Sequence, residues 1–166
     1  MIHINFHSPA ELPPQEDLRQ QAVERSGVLR RGGDPALQRL VDQAAELFCV
    51  PIAAISIIDR DRQFLAVRKG YHQEETPRAI SFCAHAILRP GEPLLVPDAR
   101  HDRRFAGNPQ VIFPPHIRFY AGIPLLDRQG YPLGAFCVVD SKPRADVSDL
   151  FELSLLAREA ERQIGR

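Results

Sequence analysis

The sequence has no tryptophan, only three cysteines and no long apolar run. Cys49, Cys83 and Cys137 form no C-x-x-C pair, which argues against a disulfide framework and against a structural zinc site. No apolar stretch approaches the ~20 residues that cross a bilayer, and the N-terminus lacks the basic-then-apolar pattern of a signal peptide. We therefore expect a soluble cytoplasmic protein without a metal site, and nothing in the sequence requires a cofactor.

The charges of the chain balance, because 21 Lys plus Arg residues face 21 Asp plus Glu residues. This balance argues against nucleic acid and against an anionic membrane as the main partner. The length of 166 residues, with 44% hydrophobic and 25% charged residues, suits one globular domain with a sizeable core. We expect that domain at residues 34–166, preceded by an N-terminal arm and helix at residues 1–33.

Hydrophobic periodicity predicts an α+β fold. Apolar residues recur at steps of three and four in segments that predict helices at residues 15–30, from Pro35 to before Pro51, and at 149–164. Short apolar runs predict five strands, at residues 52–59, 63–70, 94–99, 117–126 and 133–140. The last run is apolar at almost every position, so we place it near the centre of the sheet. Tight turns between several strands favour a mainly antiparallel sheet with helices packed on it.

The segment "SFCAHAI" at residues 81–87 combines a cysteine and a histidine with good helix formers, and we predict a helix over 81–89. Side chains two positions apart on a helix point about 200° away from each other. Cys83 and His85 therefore cannot coordinate the same metal ion, and His85 cannot readily activate Cys83 as a nucleophile. We predict Cys83 to be a core thiol, whereas His85 either forms a structural hydrogen bond or lines a pocket.

The connection at residues 100–116, called the long loop below, exceeds what a compact domain usually needs between two strands. Its apolar side chains, Phe105, Val111, Ile112 and Phe113, predict that it packs down onto the domain. Just before it and within it, Asp98 and Asp102 are spaced to fix turns by local hydrogen bonds.

Two further positions lie on predicted strands. Arg118 and Tyr120 alternate with Phe119, so they share one face of a strand. They are candidates for polar contacts to a ligand if that face meets a cavity under the long loop, and solvent exposure or structural pairing is the alternative. Cys137 lies among apolar residues of the last strand, which is typical of a core position.

In this order, "SFCAHAI", "DARHDRRFAGNP", "IRFYAGIPL" and "LGAFCVVDSKPR" resemble segments of bacterial GAF domains, of the subtype found beside histidine kinases and diguanylate cyclases. The resemblance covers roughly residues 34–165. It implies a central, mainly antiparallel sheet of five to six strands, terminal helices on one face and a loop-covered pocket on the other. The candidate ligand-binding residues on that fold are Phe82, His85, Asp98, Asp102, Phe105, Arg118, Tyr120 and Cys137.

The resemblance implies a stand-alone sensory or regulatory module that binds a small molecule, mediates dimerisation, or both, without catalysis. A homodimer through the apolar stripes of the terminal helices and a histidine kinase or diguanylate cyclase-type partner are the expected interactions. The N-K…F…D-E pattern of cyclic-nucleotide-binding members is absent. The spacing of Cys83 and His85 also differs from the Cys-His step of bilin-binding members.

The alternative function is a thiol-dependent reductase similar to the free methionine sulfoxide reductases, a catalytic branch of the same family. It requires Cys83 and Cys137 to come close enough for a disulfide, with Cα atoms about 4.4–6.8 Å apart. Neither cysteine stands in the sequence context of that branch, and its Trp-rich motifs cannot occur in a chain without tryptophan.

Overall fold

The computed structural model describes residues 6–147 and 149–165. Within these ranges the chain forms six strands and five α-helices. The helices are α1 (Glu16–Ser26), α2 (Pro35–Phe48), α3 (Cys83–Ala86), α4 (Pro109–Ile112) and α5 (Leu150–Ile164). The strands are β1 (Ile52–Asp59), β2 (Arg62–Lys69), β3 (Glu75–Pro77), β4 (Leu94–Val96), β5 (Phe119–Leu126) and β6 (Pro132–Asp140). No helix in these ranges is long and apolar enough to cross a bilayer.

One antiparallel sheet joins all six strands in the order β3-β2-β1-β6-β5-β4. This confirms the α+β fold and the central position of β6, which is buried along its whole length. The sixth strand, β3, was not predicted, because it is a three-residue edge strand with exposed Glu75 and Pro77. The predicted strand at 94–99 ends at Val96, since Pro97 has no N–H to continue the ladder.

The first face of the sheet, called the helix face, is covered by α1, α2 and α5. Helix α2 begins as predicted, because the Asp34 side chain accepts hydrogen bonds from the backbone N–H groups of Ala36 and Leu37. The predicted helix over 15–30 is instead two pieces. Gly27 adopts a left-handed conformation (φ 73°), which ends α1, and a short 3₁₀ turn follows at Val28–Arg30.

The opposite face, called the pocket face, is covered by α3, α4 and the long loop. Phe105 and Val111 pack onto it as predicted, but Ile112 and Phe113 are exposed. Side chains alternate along each central strand: Ala54, Ser56 and Ile58 of β1 point to this face, and the residues between them point to the helix face. The continuous apolar runs of β1 and β6 follow from cover on both faces.

Candidate functional site

A cavity of about 40 Å³, measured as space open to the centres of water molecules, lies on the pocket face between the sheet, α3 and α4. A water molecule needs about 10–15 Å³ on this scale, so the cavity has room for roughly three. Every residue on its wall is apolar or carries a neutral thiol, phenol or amide group, so none has a formal charge. They are Ile52, Ala54, Gln63, Leu65, Tyr71, Phe82, Cys83, Gln110, Pro115, Ile117, Tyr120, Cys137 and Val139.

Two cysteines, called the thiol pair below, meet on the wall of this cavity. Cys83 comes from α3 and Cys137 from β6, and both are buried and unbridged. Cys83 Sγ shares a hydrogen bond of 3.1 Å with Tyr120 Oη, and the two thiols are near enough to shift each other's pKa. The neighbouring strands β5 and β6 therefore place a hydroxyl and a thiol beside one sulfur atom.

Burial and mutual contact shift the pKa values of Cys83, Cys137 and Tyr120 in different directions. The neighbouring Cys137 thiol and the Tyr120 hydroxyl lower the pKa of the Cys83 thiol, although burial opposes them. The pKa of Cys137 is raised, because its thiol neighbours that of Cys83 and is itself buried. Burial also raises the pKa of Tyr120 well above its usual value. Because the Tyr120 hydroxyl lies 3.1 Å from its sulfur and can stabilise its thiolate, Cys83 is the stronger candidate for a nucleophile of the two thiols.

Gly122 fixes the position of the Tyr120 ring. The two residues lie on the same face of β5, and the ring lies along the strand over Gly122. A Cβ atom at position 122 would lie 2.7 Å from Tyr120 Cζ and closer still to the hydroxyl oxygen. Gly122 is paired with Cys137 across the sheet, so the ring passes over it towards the thiol pair.

Buried amides form the polar wall of the cavity. Gln63 accepts hydrogen bonds from Ser56 Oγ (2.8 Å) and Ser81 Oγ (2.6 Å), and its amide nitrogen donates to Thr76 Oγ1 (3.0 Å). The amide nitrogen of Gln110 donates a hydrogen bond of 2.8 Å to the hydroxyl of half-buried Tyr71. The sequence analysis did not single out any of these residues, because isolated Gln and Ser residues on strands and loops carry no distinctive pattern.

Phe82 on the cavity wall and Phe105 behind it form an aromatic pair. Their rings stack with centroids 4.0 Å apart, and Phe82 also contacts the Tyr120 ring at 5.3 Å. Phe105 is fully buried but does not line the cavity. It attaches the long loop to α3, which supplies Cys83.

His85 points away from the thiol pair, as predicted. Its Nε2 lies 2.9 Å from the carbonyl oxygen of Ser8, so this nitrogen donates, and its ring packs edge-on against Phe105. Burial lowers the pKa of His85, so its neutral form is favoured. Of the two alternatives for this residue, the structure supports the structural hydrogen bond. The N-terminal arm, of which residues 1–5 lie outside the described residues, is thereby fastened over α3 and the long loop.

Asp98, Asp102 and Arg118 stabilise loops. The Asp98 side chain accepts from the backbone and guanidinium of Arg100, and Asp102 does the same for Arg104. The neighbouring guanidinium groups lower the pKa of both carboxyl groups, that of Asp98 to about 2. Arg118 donates to the carbonyl oxygens of Val111 and Ile117 and so ties β5 to α4.

Of the eight predicted site residues, the structure therefore brings Phe82, Tyr120 and Cys137 to the cavity wall. Phe105 packs one layer behind them, and the other four lie outside the wall for the reasons given above. Whether any of the eight contacts a ligand stays a prediction. Cys83 is buried as predicted, but it also lines the cavity, a position that its sequence context does not predict.

A wider groove of about 680 Å³ lies on the helix face, between the C-terminal ends of α1 and α5 and the β5–β6 turn. Its arginines already have partners: Arg25 donates to Asp127 and Gln129, Arg128 donates to the Gly165 carbonyl, and Arg162 pairs with Glu159. The small cavity is the better candidate site, because buried hydrogen-bonding groups converge on it.

Comparison with known proteins agrees with this geometry. The sequence pattern described as the GAF domain matches residues 33–164. A cyclic di-GMP phosphodiesterase of Pseudomonas aeruginosa is 42% identical over 137 residues, which are 82% of this chain and 23% of the relative. The chain thus spans about a quarter of the length of that relative.

Solved structures show the same fold at low identity. The GAF domain of the Acinetobacter phosphoenolpyruvate-protein phosphotransferase has a TM-score of 0.61 at 16% identity, covering 89% of this chain and 92% of the other. The free methionine-R-sulfoxide reductase of Neisseria meningitidis, in complex with its substrate, has a TM-score of 0.60 at 16% identity, covering 98% and 96%. At these identities the likeness concerns the fold alone. The antiparallel sheet, its two covered faces and the matched sequence pattern together establish that this chain belongs to the GAF domain family.

Proposed function

We propose that this GAF domain is the sensory part of a signalling system and responds to a small uncharged molecule bound in the cavity, without catalysing its conversion. The observation that carries the proposal is the composition of the wall. Thiol, phenol and amide groups converge there among apolar side chains, and no ionic side chain is present on the wall. A charged ligand would lose its hydration without gaining an ionic partner.

The size of the cavity limits the ligand further. A volume that holds about three waters suits a molecule of three or four non-hydrogen atoms in this conformation. The best small ligands gain about 1.5 kcal/mol per non-hydrogen atom, so four atoms give at most ~6 kcal/mol. The dissociation constant is then no lower than ~40 μM. We therefore expect the ligand to bind weakly and to occupy the cavity only at high concentration.

The signalling role is supported by the 42% identical region of the cyclic di-GMP phosphodiesterase. We propose a partner that makes or degrades a cyclic dinucleotide, or a histidine kinase, whose activity changes with occupancy of the cavity. The domain would act on the partner through its terminal helices, because α1, α2 and α5 pack on the sheet whose opposite face forms the cavity.

Acetamide and acetate, which have nearly the same shape but differ in charge, test the ligand class. Acetamide at ten times its dissociation constant should stabilise the protein by about 1.4 kcal/mol. For a domain of this size that raises the melting temperature by ~3–6 °C, as measured by differential scanning fluorimetry. Acetate should give no comparable shift, because the wall offers it no cation.

The matched variant is Ala54→Val, which adds two methyl groups to a wall residue on a strand where β-branched side chains are tolerated. It should abolish the acetamide shift while the fold persists. Ala145→Val makes the same change at an exposed position and should leave the shift intact. Equal shifts in all three proteins, or a larger shift with acetate, would contradict the proposal.

A thiol-dependent reductase is the second candidate, favoured by the contact between Cys83 and Cys137. The substrate class of the Neisseria relative is a free amino acid, whose ammonium and carboxylate groups need charged partners. The cavity wall has none, and its volume is too small for such a molecule. Turnover of free methionine sulfoxide with dithiothreitol as reductant would reverse this preference.

We also propose a homodimer through the exposed apolar side chains of α2 and α5. Phe151 and Leu155 are 68% and 53% exposed one turn apart on α5, and Leu47 of α2 is 46% exposed. Arg31, just before α2, donates to the Gln163 carbonyl near the end of α5, so the helices run antiparallel. Leu47 therefore lies at the same end of the helix pair as Phe151.

Light scattering of the wild-type protein should give a dimeric mass, and Phe151→Ser with Leu155→Ser should give a monomeric mass. Replacing exposed Phe113 on the pocket face by serine is the matched control and should leave the dimer unchanged. A monomeric wild type, or a dimer in the double variant, contradicts the proposed surface.

A further inference from the structure

We propose that Cys83 and Cys137 form a reversible oxidation site in which a small peroxide entering the cavity converts the thiol pair to a disulfide. The chemistry does not depend on the proposed sensory function. Only its consequence does: oxidation would change the same cavity that a ligand occupies.

The geometry supplies the three requirements of such a site. The two thiols share one cavity wall and flank one hydroxyl, because Tyr120 Oη lies 3.1 Å from Cys83 Sγ and over Gly122, the cross-strand neighbour of Cys137. They line a cavity with room for roughly three waters, and a peroxide such as hydrogen peroxide is uncharged and smaller than that. The hydroxyl of Tyr120, 3.1 Å from Cys83 Sγ, supplies a hydrogen bond at the atom that reacts.

Cys83 is the attacking residue in this scheme, because the Tyr120 hydroxyl lies 3.1 Å from its sulfur and can donate a hydrogen bond to its thiolate. The thiolate attacks one peroxide oxygen, the O–O bond breaks, and the leaving alkoxide or hydroxide takes up the proton that Cys83 released. Cys83 is then a sulfenic acid. Cys137, with its higher pKa, remains a thiol beside it.

The second step consumes the sulfenic acid. The Cys137 sulfur attacks the Cys83 sulfur, the S–S bond forms, and the S–O bond breaks with release of water that carries the Cys137 proton. Overall, two thiols and one peroxide give one disulfide, one water and one alcohol, or a second water when the oxidant is hydrogen peroxide. Two electrons pass from sulfur to the peroxide, and an added dithiol restores the reduced pair.

The disulfide would join α3 to β6 and remove the thiol partner of Tyr120. Since both sulfurs lie on the wall, the space available to a ligand changes as well. Oxidised protein is therefore expected to lose most of the acetamide shift.

The experiment uses the full chain with exposed Cys49 replaced by serine, so that no third thiol contributes. Native protein is treated with one equivalent of hydrogen peroxide, the reaction is quenched, and the mass of the intact protein is measured by mass spectrometry. A loss of about 2 Da, for two hydrogen atoms, that dithiothreitol reverses is the expected result. Cys137→Ser should instead gain about 16 Da per oxygen at Cys83. Cys83→Ser should react at least about tenfold more slowly.

Tyr120→Phe keeps the ring and removes the hydroxyl. Since the hydroxyl assists Cys83 in this scheme, the variant should form the disulfide several-fold more slowly, as measured by the rate of the 2 Da loss. A native protein that gains oxygen without losing two hydrogens, or equal reactivity of Cys83 in native and urea-unfolded protein, would overturn the proposal. The acetamide shift of the reduced protein is measured in parallel. Its presence without disulfide formation refutes only the oxidation site, and its absence with disulfide formation refutes only the proposed ligand class.

Discussion

Replacing Gly122 by alanine is expected to lower the free energy of unfolding by about 1–3 kcal/mol, the usual cost of overpacking a buried site. The added methyl group would lie 2.7 Å from Tyr120 Cζ, so the ring must move. Its neighbours give it little room, because Tyr120 is 1% exposed and contacts Phe82 and Cys83. Loss of the hydrogen bond between Tyr120 and Cys83 adds to the cost. Urea unfolding measures the change.

A double-mutant cycle with Tyr120→Val isolates the cause. Without the ring, the three atoms nearest to the alanine methyl at position 122 are gone, and the smaller unfolded-state entropy of alanine should make the substitution neutral or stabilising by up to ~1 kcal/mol. The coupling between the two positions should therefore reach about 1–3 kcal/mol. The same loss in both backgrounds would mean that something other than the Tyr120 ring requires glycine here.

Replacing Phe105 by alanine is expected to cost about 3–5 kcal/mol, the range for deleting a buried aromatic ring. Phe105 is fully buried, stacks on Phe82 and packs against His85. Its loss removes the main apolar contact between the long loop and α3. We expect the backbone amides of the long loop and α3 to lose protection from hydrogen exchange before those of β1 and β6 do.

Phe113→Ala is the matched control, since Phe113 belongs to the same loop but is 63% exposed. That variant should change the free energy of unfolding by no more than about 0.5 kcal/mol. If the two substitutions have equal effects, Phe105 does not anchor the loop as described.

The sequence was sufficient to predict five of the six strands and the separation of Cys83 from His85. Continuous apolar runs such as β6 indicate strands covered on both faces, and the angle between successive helical side chains does not depend on tertiary contacts. The capped start of α2 at Asp34 is equally local. Each of these features is determined by residues close together in the chain.

The features that could not be predicted all depend on residues distant in the sequence. Cys83 lines the cavity only because α3 packs across β6, and Tyr120 reaches it only because residue 122 has no side chain. The buried Gln63 network joins three separate segments. Ile112 and Phe113 looked like core residues by composition, but at the end of α4 both are exposed to solvent.

We propose that this domain receives its signal through the uncharged cavity beside the thiol pair. Backbone amide chemical shifts recorded during an acetamide titration test this proposal most directly. We expect saturable changes at wall residues of β1, α3 and β6, such as Ala54, Cys83 and Cys137, and their loss in Ala54→Val. Changes confined to α1, α2 and α5, or no saturable change at all, would contradict it.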